Sequence, residues 1–380
     1  MSKSSIEQLD SAFKSYSVNM EKTFSEFKAN VSKMLSDAKD DISLGEPGKI
    51  KEVTDKIAKL NTSLDKLNKS VDVYEYQMNY MFWNNYRSEN ESVTDAKKRF
   101  FLGLKPDNED VVAVQKAALL LMKEVKRICE KHDIEYWLDV GSLMGAVRHK
   151  GFIPWATSSY IGIMRKELEK LKDAVNNEET YIKLDNFNAI RMQCCNIIRI
   201  KFKDSGIPLF MDVFVYDFCD KSDDSAWNEY RKHRREFSRS LMKYKPVPLE
   251  GTGIDIVEKH RIINEEHLGV IKDTFEKHQK KLTDSIGLDN EDGKAVIWGI
   301  DNFSYYVGKK CILKKESIFP LKKLSFCGEE YPVPNDYIAF LKCKYADIYK
   351  LPDDILAQHN IKRPAELIEK YKAITEKYSK

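Results

Sequence analysis

No CxxC pair and no Cys/His pair at zinc-finger spacing occurs in the 380 residues, although seven cysteines are present: Cys129, Cys194, Cys195, Cys219, Cys311, Cys327 and Cys343. That excludes a zinc ribbon or finger, and an odd set in a chain of this size argues against a disulfide framework. Adjacent Cys194 and Cys195 offer a redox pair or a metal contact, but successive strand residues point to opposite faces. Buried thiols acting as small hydrophobes are the simpler reading. Charge of one sign is also missing: 32% of residues are charged, yet the net charge is only +3. No nucleic-acid partner is therefore expected. No apolar run reaches the roughly 18 residues that would suggest a membrane span, and the first residues have neither a basic nor an apolar signal region. These absences lead us to expect a cytoplasmic protein with no membrane span.

The chain is long enough for two domains, and its first 90 residues differ in kind from the rest. Ile6, Leu9, Phe13, Tyr16, Met20, Phe24, Phe27, Val31, Met34 and Ala38 recur at spacings of three and four, the stripe of an amphipathic helix. Val53, Ile57, Leu60, Leu64, Leu67, Val71 and Tyr74 keep heptad spacing, as a coiled-coil seam does. Gly45, Glu46, Pro47 and Gly48 between them read as a helix stop and turn. The pattern predicts an all-α antiparallel helical hairpin over 1–90, suited to self-association or to a partner protein. Its aromatic-rich end, Tyr74 to Tyr86, either packs against the next domain or docks a partner. Residues 91–108 read as a linker.

From Glu109 the pattern becomes mixed α/β. A helix is expected over 109–132, with Val111, Val114, Ala118, Leu121, Met122, Val125 and Ile128 on one side. Strands are expected at 134–138, 159–164, 195–202 and 209–216, and a short helix at 143–148. Residues 222–285 read as largely helical, with a basic run from Arg231 to Lys245 taken as a solvated face. A loop-rich stretch then precedes a last helix at 363–378.

One stretch carries the functional argument. Residues 134–155, from Ile134-Glu135-Tyr136-Trp137-Leu138-Asp139 through Gly141-Ser142 to Ile153-Pro154-Trp155, resemble the opening signature of the LicD (fukutin-related) family. Phe210 to Asp217, Ile318 to Leu324, Val333 to Tyr337 and Lys344 to Asp347 resemble later blocks of that family, in order, with Ala346 where glycine is usual. The resemblance implies a nucleotidyltransferase-like fold over 109–380. It also implies transfer of phosphocholine-like or polyol-phosphate groups from a CDP-activated donor to a glycan acceptor, with magnesium as cofactor. Gly141, Ser142 and Gly145 would then let backbone N–H groups approach a phosphate. Arg148 and Lys150 would supply cations beside it.

The pattern breaks after Trp155. Where the family carries an Asp-rich run that holds its metal, this chain has Ala156, Thr157, Ser158, Ser159 and Tyr160. Magnesium prefers carboxylate and phosphate oxygens, and hydroxyls are weak substitutes. Asp212, matching the family's later carboxylate, is the remaining catalytic and metal candidate, with Asp217 as a second metal ligand. The sequence thus supports a LicD-like phosphotransferase that is impaired or silent. The alternative is a non-catalytic nucleotide-binding or scaffold protein acting through its N-terminal helices.

Overall fold

The computed structural model describes residues 26, 27, 31, 47–106, 108–189, 194–204, 206–243, 265–303, 310–345, 347–351 and 363–379. The chain divides into two compact units, residues 1–100 and 101–380.

In the first unit, helix α1 runs from Pro47 to Tyr86. Proline suits a first helical position, because the N–H it lacks has no partner there anyway. The other expected helix, over residues 6–38, lies outside the described residues except for Glu26, Phe27 and Val31. In the heptad stripe Leu67 is buried, whereas Ile57 and Leu64 are exposed. The stretch read as a linker instead contains helix α2, Val93–Gly103. Ser92 starts it: its Oγ accepts from the Asp95 N–H and donates to the Asp95 carboxylate, an N-cap within a run taken for loop on its polar residues. At the end of α1, Phe82, Trp83 and Tyr86 meet Phe100 edge-on. Arg99 stacks over Tyr86 and pairs with Glu91. These aromatics are used up in internal packing, while Tyr76 and Tyr80 stay exposed.

The second unit is α/β. Its elements in order are helix α3 (Glu109–Lys131), strand β1 (Tyr136–Leu138), helix α4 (Val140–His149), strand β2 (Ser159–Met164), helix α5 (Arg165–Asn177), and strands β3 (Ile182–Ala189), β4 (Cys194–Phe202) and β5 (Phe210–Cys219). Helices α6 (Asp224–Leu241) and α7 (Glu265–Ile286) come next, then strands β6 (Ala295–Trp298) and β7 (Ile312–Lys314). The chain continues with helix α8 (Lys315–Ile318), strands β8 (Lys322–Phe326) and β9 (Glu329–Val333), and helices α9 (Tyr337–Lys344) and α10 (Ala365–Tyr378). Among the described residues the main sheet is seven-stranded and mixed: β1-β2-β5-β4-β3, with β6 beside β5 and β7 beside β6. Only β2 and β5 run parallel; the other neighbours are antiparallel. The stretch read as loop-rich contributes the two-stranded β8–β9 sheet, turned at Cys327 and Gly328, both at positive φ.

The apolar side expected of α3 is buried from Val111 to Ile128. Gly162 on β2 leaves room for the indole of Trp137, and an alanine there would collide with it. Cys194 and Cys195 are both buried, and no disulfide forms among the cysteines. Burial pushes the thiols of Cys129 and Cys219 up to about 12. No described helix is long and apolar enough to cross a membrane.

Candidate functional site

The register of three strands decides what lies where. On β2 and β5, Tyr160 is opposite Asp212, and on β5 and β4, Asp212 is opposite Arg199. Directly paired residues point to the same side of a sheet. Tyr160, Asp212 and Arg199 therefore form one row across the centre of the sheet.

Within that row the carboxylate is committed. Arg199 Nε donates to Asp212 Oδ1 at 2.8 Å, with the two side chains 1% and 6% exposed. The guanidinium is sandwiched between aromatic rings, 3.5 Å from the centroid of Phe187 and 3.7 Å from that of Phe210. Tyr160 fills the other side of the row. Its ring stacks on Phe214 at 5.7 Å and lies against Gly141. Burial, and then the nearby Asp212 carboxylate, push its hydroxyl up to about 12. The Gly141–Ser142 turn is thus covered by a side chain of the protein, and Ser142 Oγ accepts from the Tyr160 backbone N–H at 2.8 Å.

The start of α4 is occupied as well. Asp139 caps the helix by accepting from the Val140 N–H, and it also accepts from Tyr216 Oη and from Lys344 Nζ at 2.6 and 2.7 Å. Both Asp139 and Lys344 are buried, so a carboxylate of the protein, paired with an ammonium, already occupies the end of the helix where an anion would dock. Val140 takes a φ of 43°, which a β-branched residue rarely adopts. The turn is therefore strained, as turns at functional sites often are.

The remaining expected site residues do not converge here. Gly145 serves packing, since a side chain on it would meet the Gly151 carbonyl. Arg148 and Lys150 sit at the far end of α4, roughly 9–12 Å along the axis from Ser142 at 1.5 Å per residue. Arg148, expected as a phosphate contact, is buried instead: Nη1 donates to the Ile348 carbonyl at 2.7 Å and Nε to His149. Its guanidinium lies over Phe101 and Trp155. Burial pulls Arg148 down to about 10, and burial with Arg148 beside it pulls His149 down to about 4. Lys150 is exposed and closes the helix in a left-handed conformation.

Asp217, expected as a second metal ligand, is five positions along β5 from Asp212 and so points to the opposite face. There it pairs with Arg165, which also holds Asp301. Although burial opposes it, these two carboxylates keep Arg165 protonated well above the usual range. The donor set around Asp212 does not fit magnesium. Neutral residues stand at 156–160, Asp212 is held by a cation, and Asp217 is on the other face.

Lys314 and Lys315 line a cleft of about 1020 Å³ with Lys166, Lys294 and Phe218. Phe218 is six residues along β5 from Asp212, roughly 20 Å away. Glu291 and Glu316 share that lining, so its charge is mixed. The basic run after Arg231 is only partly a solvated face. His233 and Arg234 turn inward, and Arg234 Nη2 donates to the Asn302 carbonyl. Lys245 lies outside the described residues.

Residues 133–254 match the family described as LicD/FKTN/FKRP, nucleotidyltransferase domain. The lipopolysaccharide cholinephosphotransferase LicD of Haemophilus influenzae is 26% identical over 255 residues, 63% of this chain and 91% of that protein. The chain belongs to the LicD/FKTN family. Two uncharacterised proteins, of Rickettsia prowazekii and Rickettsia typhi, are 30% and 32% identical over about a quarter of this chain and 38% and 33% of their own lengths. Arg199, which answers Asp212 in this LicD-family chain, was missed in the sequence. The available signal was a single arginine in the otherwise apolar run Ile197, Ile198, Ile200.

Proposed function

We propose that this protein is a LicD-family phosphotransferase relative whose metal-dependent centre is closed, so that it acts by binding rather than by turnover. The observation that carries the reading is the row Tyr160–Asp212–Arg199. Phosphoryl transfer needs the phosphate charge neutralised and the reacting oxygens held in line. In this row a guanidinium already neutralises the one carboxylate, and a phenol ring covers the glycine turn. The family role, and the cholinephosphotransferase activity in the name of the Haemophilus relative, make a CDP-activated donor and a glycan acceptor the substrate classes with which the protein would be associated. Residues 1–90, with Tyr76 and Tyr80 exposed on α1, are where a partner protein or a second copy would attach.

A second reading, a working transferase, draws on the retained Gly141–Ser142 turn and on similarity spanning nearly the whole Haemophilus protein. Calorimetric titration of the full chain with CDP-choline and with CTP, each with and without magnesium, separates the two. The closed-site reading expects no tightening by magnesium and no phosphocholine transfer to a lipopolysaccharide acceptor. Binding strengthened by magnesium, followed by turnover, would overturn it.

A further inference from the structure

Where α6 packs on α7, one spot in the contact is polar. His233 on α6 and His278 on α7 are 4% and 6% exposed, and their Nδ1 atoms are 3.2 Å apart. Glu236, one turn after His233, places Oε2 3.7 Å from His233 Nδ1 and 3.9 Å from His278 Nδ1. On the other side of the first ring, His233 Nε2 is 3.0 Å from Glu229 Oε1. An ionised carboxylate only accepts, so Nε2 carries the proton and donates to Glu229. The Nδ1 lone pair of His233 then faces His278 and Glu236.

Three ligand atoms with those separations have a common point about 2 Å from each, which is the ligand distance of a zinc ion bound by imidazole and carboxylate. We propose that His233, His278 and Glu236 bind a divalent transition-metal ion, Zn²⁺ fitting best, that ties α6 to α7 with water in the fourth position. Glu229 is the carboxylate that fixes the tautomer and tilt of the metal-binding imidazole, as outer carboxylates do at zinc-bound histidines. Two nitrogens and one oxygen favour zinc over magnesium or calcium, which want all-oxygen sets. None of the four residues belongs to the row around Asp212, so the site stands apart from the family chemistry. In the metal-free protein, His278 donates its Nδ1 proton to His233; the ion takes that position, and the His278 proton moves to Nε2. Glu236, whose side chain is 41% exposed, gives the ion an approach from solvent.

The test is calorimetric titration of the chelator-treated full chain with Zn²⁺ alone, with Co²⁺ uptake followed by its visible ligand-field absorption. The expected result is one ion per chain and cobalt bands of a four- or five-coordinate nitrogen and oxygen site. Glu229→Gln should weaken binding about 10- to 100-fold. Glu236→Gln, which alters an exposed oxygen and leaves the packed rings in place, should weaken it at least as much. A folded chain that takes up no ion overturns the proposal. So does uptake unchanged in Glu236→Gln and in His278→Gln, and if the histidine variant does not fold, Glu236→Gln alone decides.

Discussion

Strand β5 carries a buried aspartate near each end, and the two are answered differently. Among the described residues Asp212 meets Arg199, clamped between Phe187 and Phe210. Asp217 shares its arginine, Arg165, with Asp301. The first pair is closed by rings; in the second, one guanidinium holds two carboxylates, and the Arg234 charge also acts on Asp301. A carboxylate held by a guanidinium gains little from a metal ion. At Asp217 burial, against the pull of Arg165, makes the charge costly, and a proton relieves it. Strand β5 is thus self-sufficient in charge, by one device on each face.

The sharpest way to break the comparison is to remove the cations. Arg165→Met takes the shared cation from both Asp217 and Asp301, which stay buried. It should cost about 5 kcal/mol, the upper end for a broken buried pair, read as the urea unfolding free energy of the full chain. A cost near zero would show that the cluster is not held by charge. Arg199→Met takes the cation from Asp212 alone and should cost about 3 kcal/mol. Adding Asp212→Leu to it should restore most of that loss, since replacing a whole buried pair by apolar residues is often neutral or stabilising. If the double variant is as unstable as the single one, the arginine acts through its stacking on the two rings rather than through the carboxylate.

A gentler probe is pH. Burial, against the pull of Arg165, pushes Asp217 up to about 7, whereas an aspartate in the unfolded chain titrates near 4. The folded protein therefore keeps a proton that the unfolded chain gives up. The stability tied to Asp217 is fully present below about pH 4 and is lost as pH rises through about 7. His149 works in the opposite sense. Held down to about 4, it makes stability rise between about 4 and its unfolded value near 6.5. The quantity to measure is thus the difference between wild type and Asp217→Asn in urea midpoint from pH 4.5 to 8. The asparagine variant should lose less stability over that range. Parallel curves would mean that Asp217 is ionised throughout.

How much of the molecule was legible in its sequence depends on the range of the interactions. Helix α3, strand β2 and the last helix were legible because a long 3.6-residue stripe or a short apolar run is a local signal. Strands β3, β6 and β7 were not, since they are ordered by the neighbours they pair with. The inward turn of His233 and Arg234 is visible as a spacing: Tyr230, His233, Arg234, Phe237 and Leu241 share one buried face of α6. It was hidden by the charges between them. At the site, the absence of carboxylates at 156–160 was plain in the sequence. The Arg199–Asp212 pair was not, because the two are thirteen residues apart and meet only through the register of β4 on β5.

That register also sets the smallest effect and the most discriminating one. Tyr160→Asp puts a carboxylate opposite Asp212, on strands roughly 4.8 Å apart. With Arg199 in place it should still create no magnesium site, because the guanidinium keeps Asp212 occupied and would draw the new carboxylate too. The expected signal in a magnesium titration of the single variant is none. Combining Tyr160→Asp with Arg199→Leu releases Asp212 from the guanidinium and sets two carboxylates side by side, the minimum from which magnesium is usually bound. That double variant should be destabilised without magnesium and recover with millimolar magnesium, seen as a rise in thermal midpoint absent from wild type. If the single variant already responds, Tyr160 alone closes the site and Arg199 is a bystander. If neither responds, the closure reaches beyond this row, to the Asp139–Lys344 pair at the start of α4.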